Sequence, residues 1–152
     1  MQKNLPLFVL FAAALLISGC SNLADARAAK GTGVSREYSA TAEATWKAVP
    51  QVLEEISLPL VTENRPQGYI LAQRGLTPFS YGENVAIFIE SVAESVKTKV
   101  EVVSKKAMAT NIFAPDWSKE ILDALEKKLT NSSPAKAGLA VPDSPEKRRD
   151  GV

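Results

Sequence analysis

The first nineteen residues constrain the fold more than any other feature, because they carry the pattern of an export signal instead of part of a domain. Lys3 supplies a positive charge near the start, and an apolar run follows from Leu5 to Ile17. A transmembrane helix needs about 20 consecutive apolar residues, so this run is too short to span a bilayer. It has the length of the apolar region of a signal peptide. We therefore expect residues 1–19 to be removed and the folded domain to follow them.

A short motif closes the apolar run. The residues Leu16-Ile17-Ser18-Gly19-Cys20 resemble the lipobox of bacterial lipoproteins, in which small residues precede the cysteine. The resemblance covers only the signal region. It implies cleavage before Cys20, a diacylglycerol in thioether linkage to its sulfur, and a further acyl chain such as palmitate on the new amine. Two alternatives remain open: an ordinary signal peptide whose cleavage site contains a cysteine, and a cysteine buried in the core.

The lipobox resemblance also implies a location and a membrane partner. Acyl chains on Cys20 would hold the chain on a membrane of the cell envelope, facing the periplasm. The next residue is Ser21 rather than Asp, which in the enteric sorting pattern implies transfer to the outer membrane. The inner membrane and a Gram-positive cell surface remain open. Because Cys20 is the only cysteine, its lipidation would leave no thiol for catalysis, metal binding or a disulfide.

The charge composition argues against a nucleic-acid partner. The chain has 18 basic and 17 acidic residues, and loss of Lys3 with the signal leaves 17 of each. Binding to nucleic acid depends on clustered Lys and Arg side chains that neutralise phosphates. A balanced and evenly mixed charge pattern provides no such surface, so we expect no nucleic-acid binding.

The chain contains no histidine, which excludes Ser-His-Asp and Cys-His nucleophile systems and the usual histidine-bearing zinc sites. A Ser-Lys dyad or a pair of carboxylates acting on a glycan fits the composition, but no spacing supports either. Glu54 and Glu55 are adjacent on a predicted helix, whereas Glu90, Glu94 and Glu101 fall on or beside predicted strands with solvent-facing parity. We therefore expect no catalytic residue, no metal, no cofactor and no enzymatic activity.

Three segments follow the signal. Residues 20–33 are polar and small, and they predict a flexible tether. Residues 34–129 contain the periodic apolar patterns and predict a single domain with one modest core. Residues 130–152 carry three prolines, small residues and a mixed charge cluster, which predict a disordered tail.

Hydrophobic periodicity predicts seven elements in the domain. Alternating or short apolar patterns predict five strands, at residues 34–40, 60–63, 69–74, 85–91 and 98–105. Apolar residues at spacings of three and four predict helices over 42–56, capped by Thr41, and over 116–129. Pro50 lies inside the first helical pattern, where it removes one backbone hydrogen bond, so a kink or a break is expected there.

The order of elements predicts the fold. Strands joined by short turns favour antiparallel pairing, and two amphipathic helices can cover the same apolar face. We therefore predict an α+β two-layer sandwich with an antiparallel sheet of about five strands, in the order β-α-β-β-β-β-α. Two helices cover one face of this sheet, and solvent covers the other. This order resembles the small helix-grip domains of some envelope lipoproteins, and the resemblance, which is one of topology, implies a role in protein interaction.

Two loops, at residues 77–81 and 111–115, carry apolar side chains without regular periodicity. Phe79, Tyr81, Ile112 and Phe113 are therefore candidates for a partner-facing surface, with closure of the core ends as the alternative. The sequence predicts a non-catalytic, membrane-anchored envelope lipoprotein that binds a macromolecule, such as an envelope protein, or has a structural role. A periplasmic protein that binds a small apolar ligand such as a lipid is an alternative, and a cell-wall-active enzyme is another.

Overall fold

The computed structural model describes residues 21–78, 80–92, 96–108 and 115–132. The predicted signal peptide and residues 133–152 of the predicted tail lie outside this part of the chain. In chain order the elements are α1 (Leu23–Ala28), β1 (Val34–Tyr38), α2 (Ala42–Glu55), β2 (Leu60–Asn64), β3 (Tyr69–Arg74), β4 (Glu83–Val92), β5 (Lys97–Lys106) and α3 (Trp117–Ser132).

The five strands form one antiparallel sheet with the spatial order β1-β5-β4-β3-β2. Strands β2 to β5 follow one another across the sheet, whereas β1 pairs with β5 at the opposite edge from β2. Helix α2 therefore connects the two edges of the sheet. The predicted α+β fold, the antiparallel sheet and the order of the seven predicted elements are confirmed.

The main core lies between one face of the sheet and the helices α2 and α3. Successive side chains of a strand point to opposite faces, so alternate residues of β3, β4 and β5 enter this layer. Burial of apolar area stabilises a fold by about 25 cal/mol per Å², and this layer holds most of the buried apolar side chains. Its fully buried members include Val49, Val52, Leu53, Ile70, Val85, Ile87, Val100, Val102, Ile121, Leu122 and Leu125.

Helix α2 is continuous over Ala42–Glu55 although Pro50 lies inside it. The Thr41 hydroxyl oxygen accepts a hydrogen bond of 3.1 Å from the Ala44 N–H, which confirms the predicted cap. Proline costs the interior of an isolated helix about 3 kcal/mol. Burial of one Val or Leu side chain contributes about 1.5–3 kcal/mol, so the fully buried Val49 and Leu53 offset this cost. The helix is therefore not broken at the proline.

The second face of the sheet differs from the prediction. Residues Leu23–Ala28, inside the predicted tether, form α1 and pack on this face. A second, smaller core therefore lies under α1, and the expectation that solvent covers this face is wrong. The signal was present in β3 and β4, because both alternating sets of side chains in these strands are apolar, as in strands covered on both faces. The buried members are Ala26, Tyr69, Leu71, Ala86, Phe88 and Val103.

The remaining differences concern the ends of elements. Strands β4 and β5 are each ten residues long and extend beyond their predicted bounds. Helix α3 continues to Ser132, three residues into the segment predicted as a tail. Apolar periodicity marks only the apolar part of an element. Glu83 and Asn84 at the start of β4 are buried but polar, and residues 130–132 at the end of α3 are polar and exposed, so neither end carries an apolar signal.

Candidate functional site

The N-terminal segment Ser21–Gly33, called the strap below, lies on the second face of the sheet. It begins at the end of β5, where the Ser21 N–H donates a hydrogen bond of 3.0 Å to the Ala107 carbonyl. The Ser21 carbonyl accepts a hydrogen bond of 2.8 Å from the side-chain amide of Asn84. The Asn84 amide is itself oriented by a 2.8 Å hydrogen bond that its oxygen accepts from Gln73. The residue that follows Cys20 is therefore fixed against the sheet.

Helix α1 holds the middle of the strap. Asn22 and Asp25 form a reciprocal capping box at its N-terminus. The Arg27 guanidinium lies 5.7 Å from the centroid of the Tyr69 ring and donates a hydrogen bond of 3.3 Å to the Tyr69 hydroxyl. This hydrogen bond lowers the pKa of Tyr69, because it favours the phenolate. Ala26 is fully buried on the side of α1 that faces the sheet. The helix therefore contacts the sheet through this small side chain and through the cation–π contact of Arg27 with Tyr69.

An ion pair holds the strap after α1. The Lys30 ammonium pairs with the Glu90 carboxylate and lies 5.5 Å from the centroid of the Phe88 ring. The hydrogen bond from Lys30 holds the pKa of Glu90 below its ordinary value. Both charged side chains are about half exposed, so solvent limits the contribution of the pair to at most about 1 kcal/mol.

Glu101 on β5 makes a second buried polar contact to the strap, in addition to that of Asn84. Its Oε1 atom accepts hydrogen bonds from the Gly31 N–H at 2.7 Å and the Gly33 N–H at 2.8 Å. The prediction that Glu101 faces solvent is wrong, since the residue is 6% exposed. At Gly33 the backbone approaches β5 so closely that a Cβ atom would lie 2.4 Å from the Val102 carbonyl oxygen. A glycine is therefore required at this position.

The register of the sheet brings three segments together at one end. The last residue of β3, the first of β4 and the last of β5 are aligned as partners. Beyond them lie the loop between β3 and β4, at residues 75–82, and residues 107 and 108 after β5, and Ser21 is bonded to Ala107. We use the name loop end for this loop together with Ser21, Ala107 and Met108. The loop end is therefore also the place where the described chain begins.

The loop end exposes large apolar side chains. Leu76 is 78% exposed, Tyr81 is 56% exposed and Met108 is 37% exposed. Single exposed apolar residues are common on protein surfaces. These three lie in segments that meet at one end of the sheet, where each can contact an apolar partner.

Hydrogen bonds hold the loop between β3 and β4 against the ends of the neighbouring strands. The Ser80 hydroxyl donates a hydrogen bond to the carboxylate of the buried Glu83 and accepts one of 3.0 Å from the Gly82 N–H. The Gly82 carbonyl accepts a hydrogen bond of 2.9 Å from the Ala107 N–H. Gly82 has a φ of 100°, and a Cβ atom there would lie 2.7 Å from the Arg74 carbonyl oxygen. This glycine allows the loop to turn directly into β4.

The candidate residues from the sequence fall into two groups. Tyr81 lies in the described part of the chain and is exposed at the loop end. Cys20, Phe79, Ile112 and Phe113 lie outside the described residues. Leu76 and Met108 were missed because they lie outside the two loops, at residues 77–81 and 111–115, in which several apolar side chains are clustered.

Strand β2 is a second exposed feature. It forms one edge of the sheet, and Leu60 and Val61 are 39% and 49% exposed. An edge strand presents backbone N–H and C=O groups that an extended peptide can pair. A mostly apolar surface pocket of about 410 Å³ adjoins the start of β2, lined by Pro50, Leu53, Glu54, Ser57, Leu58, Pro59 and Leu60.

The carboxylates considered for acid–base chemistry lie on different elements. Glu54 and Glu55 end α2, Glu90 lies on β4 in its ion pair, and Glu101 lies on β5 under the strap. Glu94 lies outside the described residues. Within the described ranges, no group of three or more His, Cys, Asp or Glu side chains is placed to hold a metal ion.

Neither a scan against models of protein families nor a search of curated proteins found a match to this chain.

In the part of the chain that the structure covers, no helix has the length and apolar character needed to cross a membrane. Functional conclusions for this chain therefore depend on its own residues and their geometry.

Proposed function

We propose that this chain is a bacterial envelope lipoprotein, held on a membrane by acyl chains on Cys20 and facing the periplasm. The observation that carries the proposal is the order of positive charge, short apolar run, small residues and cysteine between Lys3 and Cys20. The contacts of Ser21 are compatible with it, because they fix this residue, which follows Cys20 in the sequence, at one end of the sheet. Two or three acyl chains, at about 0.8 kcal/mol per buried methylene, give durable anchoring. Ser21 favours the outer membrane.

The function of the domain in this proposal is to bind an envelope protein without catalysis. The β2 edge supports this role, because its backbone is open to an extended segment of a partner. The exposed Leu60 and Val61 add apolar contact area along the edge. The adjoining pocket, about 410 Å³ in volume, is large enough for an apolar side chain of that segment.

Two other functions have less support. A small apolar ligand between the sheet and the helices would need space that is filled by fully buried side chains, among them Leu53, Ile87 and Leu125. A cell-wall-active enzyme would need two carboxylates about 5–10 Å apart across one cleft. Glu90 and Glu101 instead hold Lys30 and the strap, respectively.

Mass spectrometry of the protein from the membrane fraction of its host tests the anchor, with a Cys20→Ser variant expressed in parallel. We expect the mature N-terminal peptide to begin at residue 20 and to carry the mass of diacylglycerol. The variant is expected to lack this mass and to leave the membrane fraction. An unmodified N-terminus at another position would contradict the lipoprotein assignment.

Site-specific photocrosslinking in the host tests the partner edge. A photoreactive residue is placed at Val61 on β2 or at Val34 on β1, since both are apolar, about half exposed and located on edge strands of one sheet. We expect a discrete adduct from position 61, with the crosslink mapped to an extended segment of one envelope protein, and none from position 34. No adduct at position 61, or equal adducts at both positions, would reject β2 as the binding edge.

A further inference from the structure

We propose that the loop end of the sheet lies directly on the lipid surface, with Leu76, Tyr81 and Met108 in contact with the interface between headgroups and acyl chains. This inference rests on the proposed acylation of Cys20 and adds an orientation to it. The α+β domain would then have a fixed orientation, with its loop end against the membrane, instead of moving freely on a tether.

The position of the anchor carries the inference. Ser21 is bonded through its N–H to Ala107 and through its carbonyl to Asn84, both at the loop end. Adjacent Cα atoms are 3.8 Å apart, so the Cα atom of an acylated Cys20 lies within about 4 Å of that of Ser21. The length available between lipid and domain is therefore a single residue. Residues 21–33, which would otherwise act as a spacer, are bound along the sheet.

The chemistry of the loop end fits a lipid interface. Leu76 and Met108 present apolar side chains, and Tyr81 combines an apolar ring with a polar hydroxyl, as do the aromatic residues enriched at membrane surfaces. The exposed Lys106, beside Ala107 at the end of β5, can reach phosphate groups with its ammonium while its stem stays near the surface. Glu83, the acidic partner aligned with Lys106 in the register, is buried below the loop.

The opposite end of the sheet provides a matched comparison. Val96, in the turn between β4 and β5, is 70% exposed and so resembles Leu76 in exposure and in chemistry. It lies next to the aligned pair Val92 and Lys97, which is at the far end of the ladder from Glu83 and Lys106. If the loop end contacts lipid, a probe at position 96 remains in water.

The occupant of this surface is a bilayer rather than a protein, because the chain itself brings lipid to this end. A protein partner would have to occupy the space between the domain and its own anchor. Strand β2 lies at a lateral edge of the sheet and not at the loop end, so a protein partner can bind β2 while the loop end contacts lipid.

Depth-dependent fluorescence quenching tests the orientation in the full lipidated chain. A lipidated Cys20 has no free thiol, so Leu76→Cys or Val96→Cys introduces one site for an environment-sensitive fluorophore. The labelled proteins are reconstituted into vesicles of phosphatidylethanolamine and phosphatidylglycerol, with or without a lipid that carries a nitroxide near the top of its acyl chain. Mass spectrometry of each sample records whether diacylglycerol is present on residue 20.

We expect the nitroxide lipid to quench the fluorescence of the probe at position 76 at least about twofold more strongly than that of the probe at position 96. A side chain at the interface lies about 5–10 Å into the headgroup boundary, within reach of the nitroxide. Equal quenching at the two positions in a sample that carries diacylglycerol overturns the orientation and leaves the anchor intact. A blue-shifted emission at position 76 without quenching indicates a protein contact and also overturns it. Absence of diacylglycerol overturns both the anchor and the orientation, and the mass spectrum separates this outcome from the others.

Discussion

Removal of the Glu101 carboxylate is expected to release the strap from the sheet. One oxygen of this side chain accepts the N–H groups of Gly31 and Gly33, at 2.7 and 2.8 Å. In Glu101→Ala both donors lose their acceptor, and a gap opens under the strap. In Glu101→Gln an amide oxygen can keep the same geometry, but its hydrogen bonds lack the contribution of the charge.

The magnitude follows from the two hydrogen bonds. A hydrogen bond to a charged group contributes about 1.5–3 kcal/mol. Gly31 is exposed and Gly33 is half-buried, so water can reach both freed donors, and the lower figure applies to each bond. We therefore expect Glu101→Ala to lower the free energy of unfolding by about 3 kcal/mol, and Glu101→Gln by about 1 kcal/mol. A loss of this size is a large fraction of the stability of a domain, which is about 5–15 kcal/mol.

Urea unfolding and hydrogen exchange provide the assay, in a chain that also carries Cys20→Ser to avoid lipid. Glu37→Ala is the matched control, because Glu37 is an exposed glutamate on the neighbouring strand β1, and its effect is expected within about 0.5 kcal/mol. In Glu101→Ala the amides of Gly31 and Gly33 are expected to exchange faster than in the control. An unfolding free energy equal to that of Glu37→Ala, with unchanged exchange at both glycines, would refute this account of the strap.

Two further predictions concern backbone approach and pH. Gly33→Ala is expected to lower the free energy of unfolding, measured in urea, by about 1–3 kcal/mol, because its Cβ atom would lie 2.4 Å from a backbone oxygen. Gly75→Ala is the control and is expected to be nearly neutral, since no atom lies within 4 Å of the new Cβ. Hydrogen bonds from Lys119 and then Arg36 lower the pKa of Asp123, so its stabilising effect is complete above its unfolded pKa of about 3.9 and is lost as pH falls through the lower folded value. The difference in urea midpoint between the native chain and Asp123→Asn is therefore expected to shrink between about pH 5 and about pH 2, and a constant difference would contradict the role of this carboxylate.

The main sheet and its two large helices could be predicted from the sequence because each has a single periodic apolar face. In α3, Ile121, Leu122, Leu125 and Leu129 recur at helical spacing and are all buried. The helix α1 had no such signal. Its six residues bury one alanine, and a helix this short depends on the surface that it contacts.

The loop end could not be predicted because it depends on distant register. Tyr81 was recognised from an irregular apolar loop, but the position of Ser21 next to Ala107 follows from the pairing of β4 with β5 and from the strap. Likewise, the alternation of β5 places Glu101 on the correct face, but it cannot show that another segment covers that face.

The contacts of the strap and β1 with β5 predict the order in which parts of the domain fold. The hydrogen bond between Gly33 and Glu101 joins residues that are 68 positions apart, while β2 to β5 pair with their neighbours in the chain. Contacts between distant residues form slowly, because closing a long loop costs chain entropy. We therefore expect β2 to β5 to assemble first and the N-terminal segment to dock last. If the chain is the proposed lipoprotein and crosses a membrane from its N-terminus, the strap that follows Cys20 is then expected to stay undocked, and open to processing enzymes, until β5 has followed.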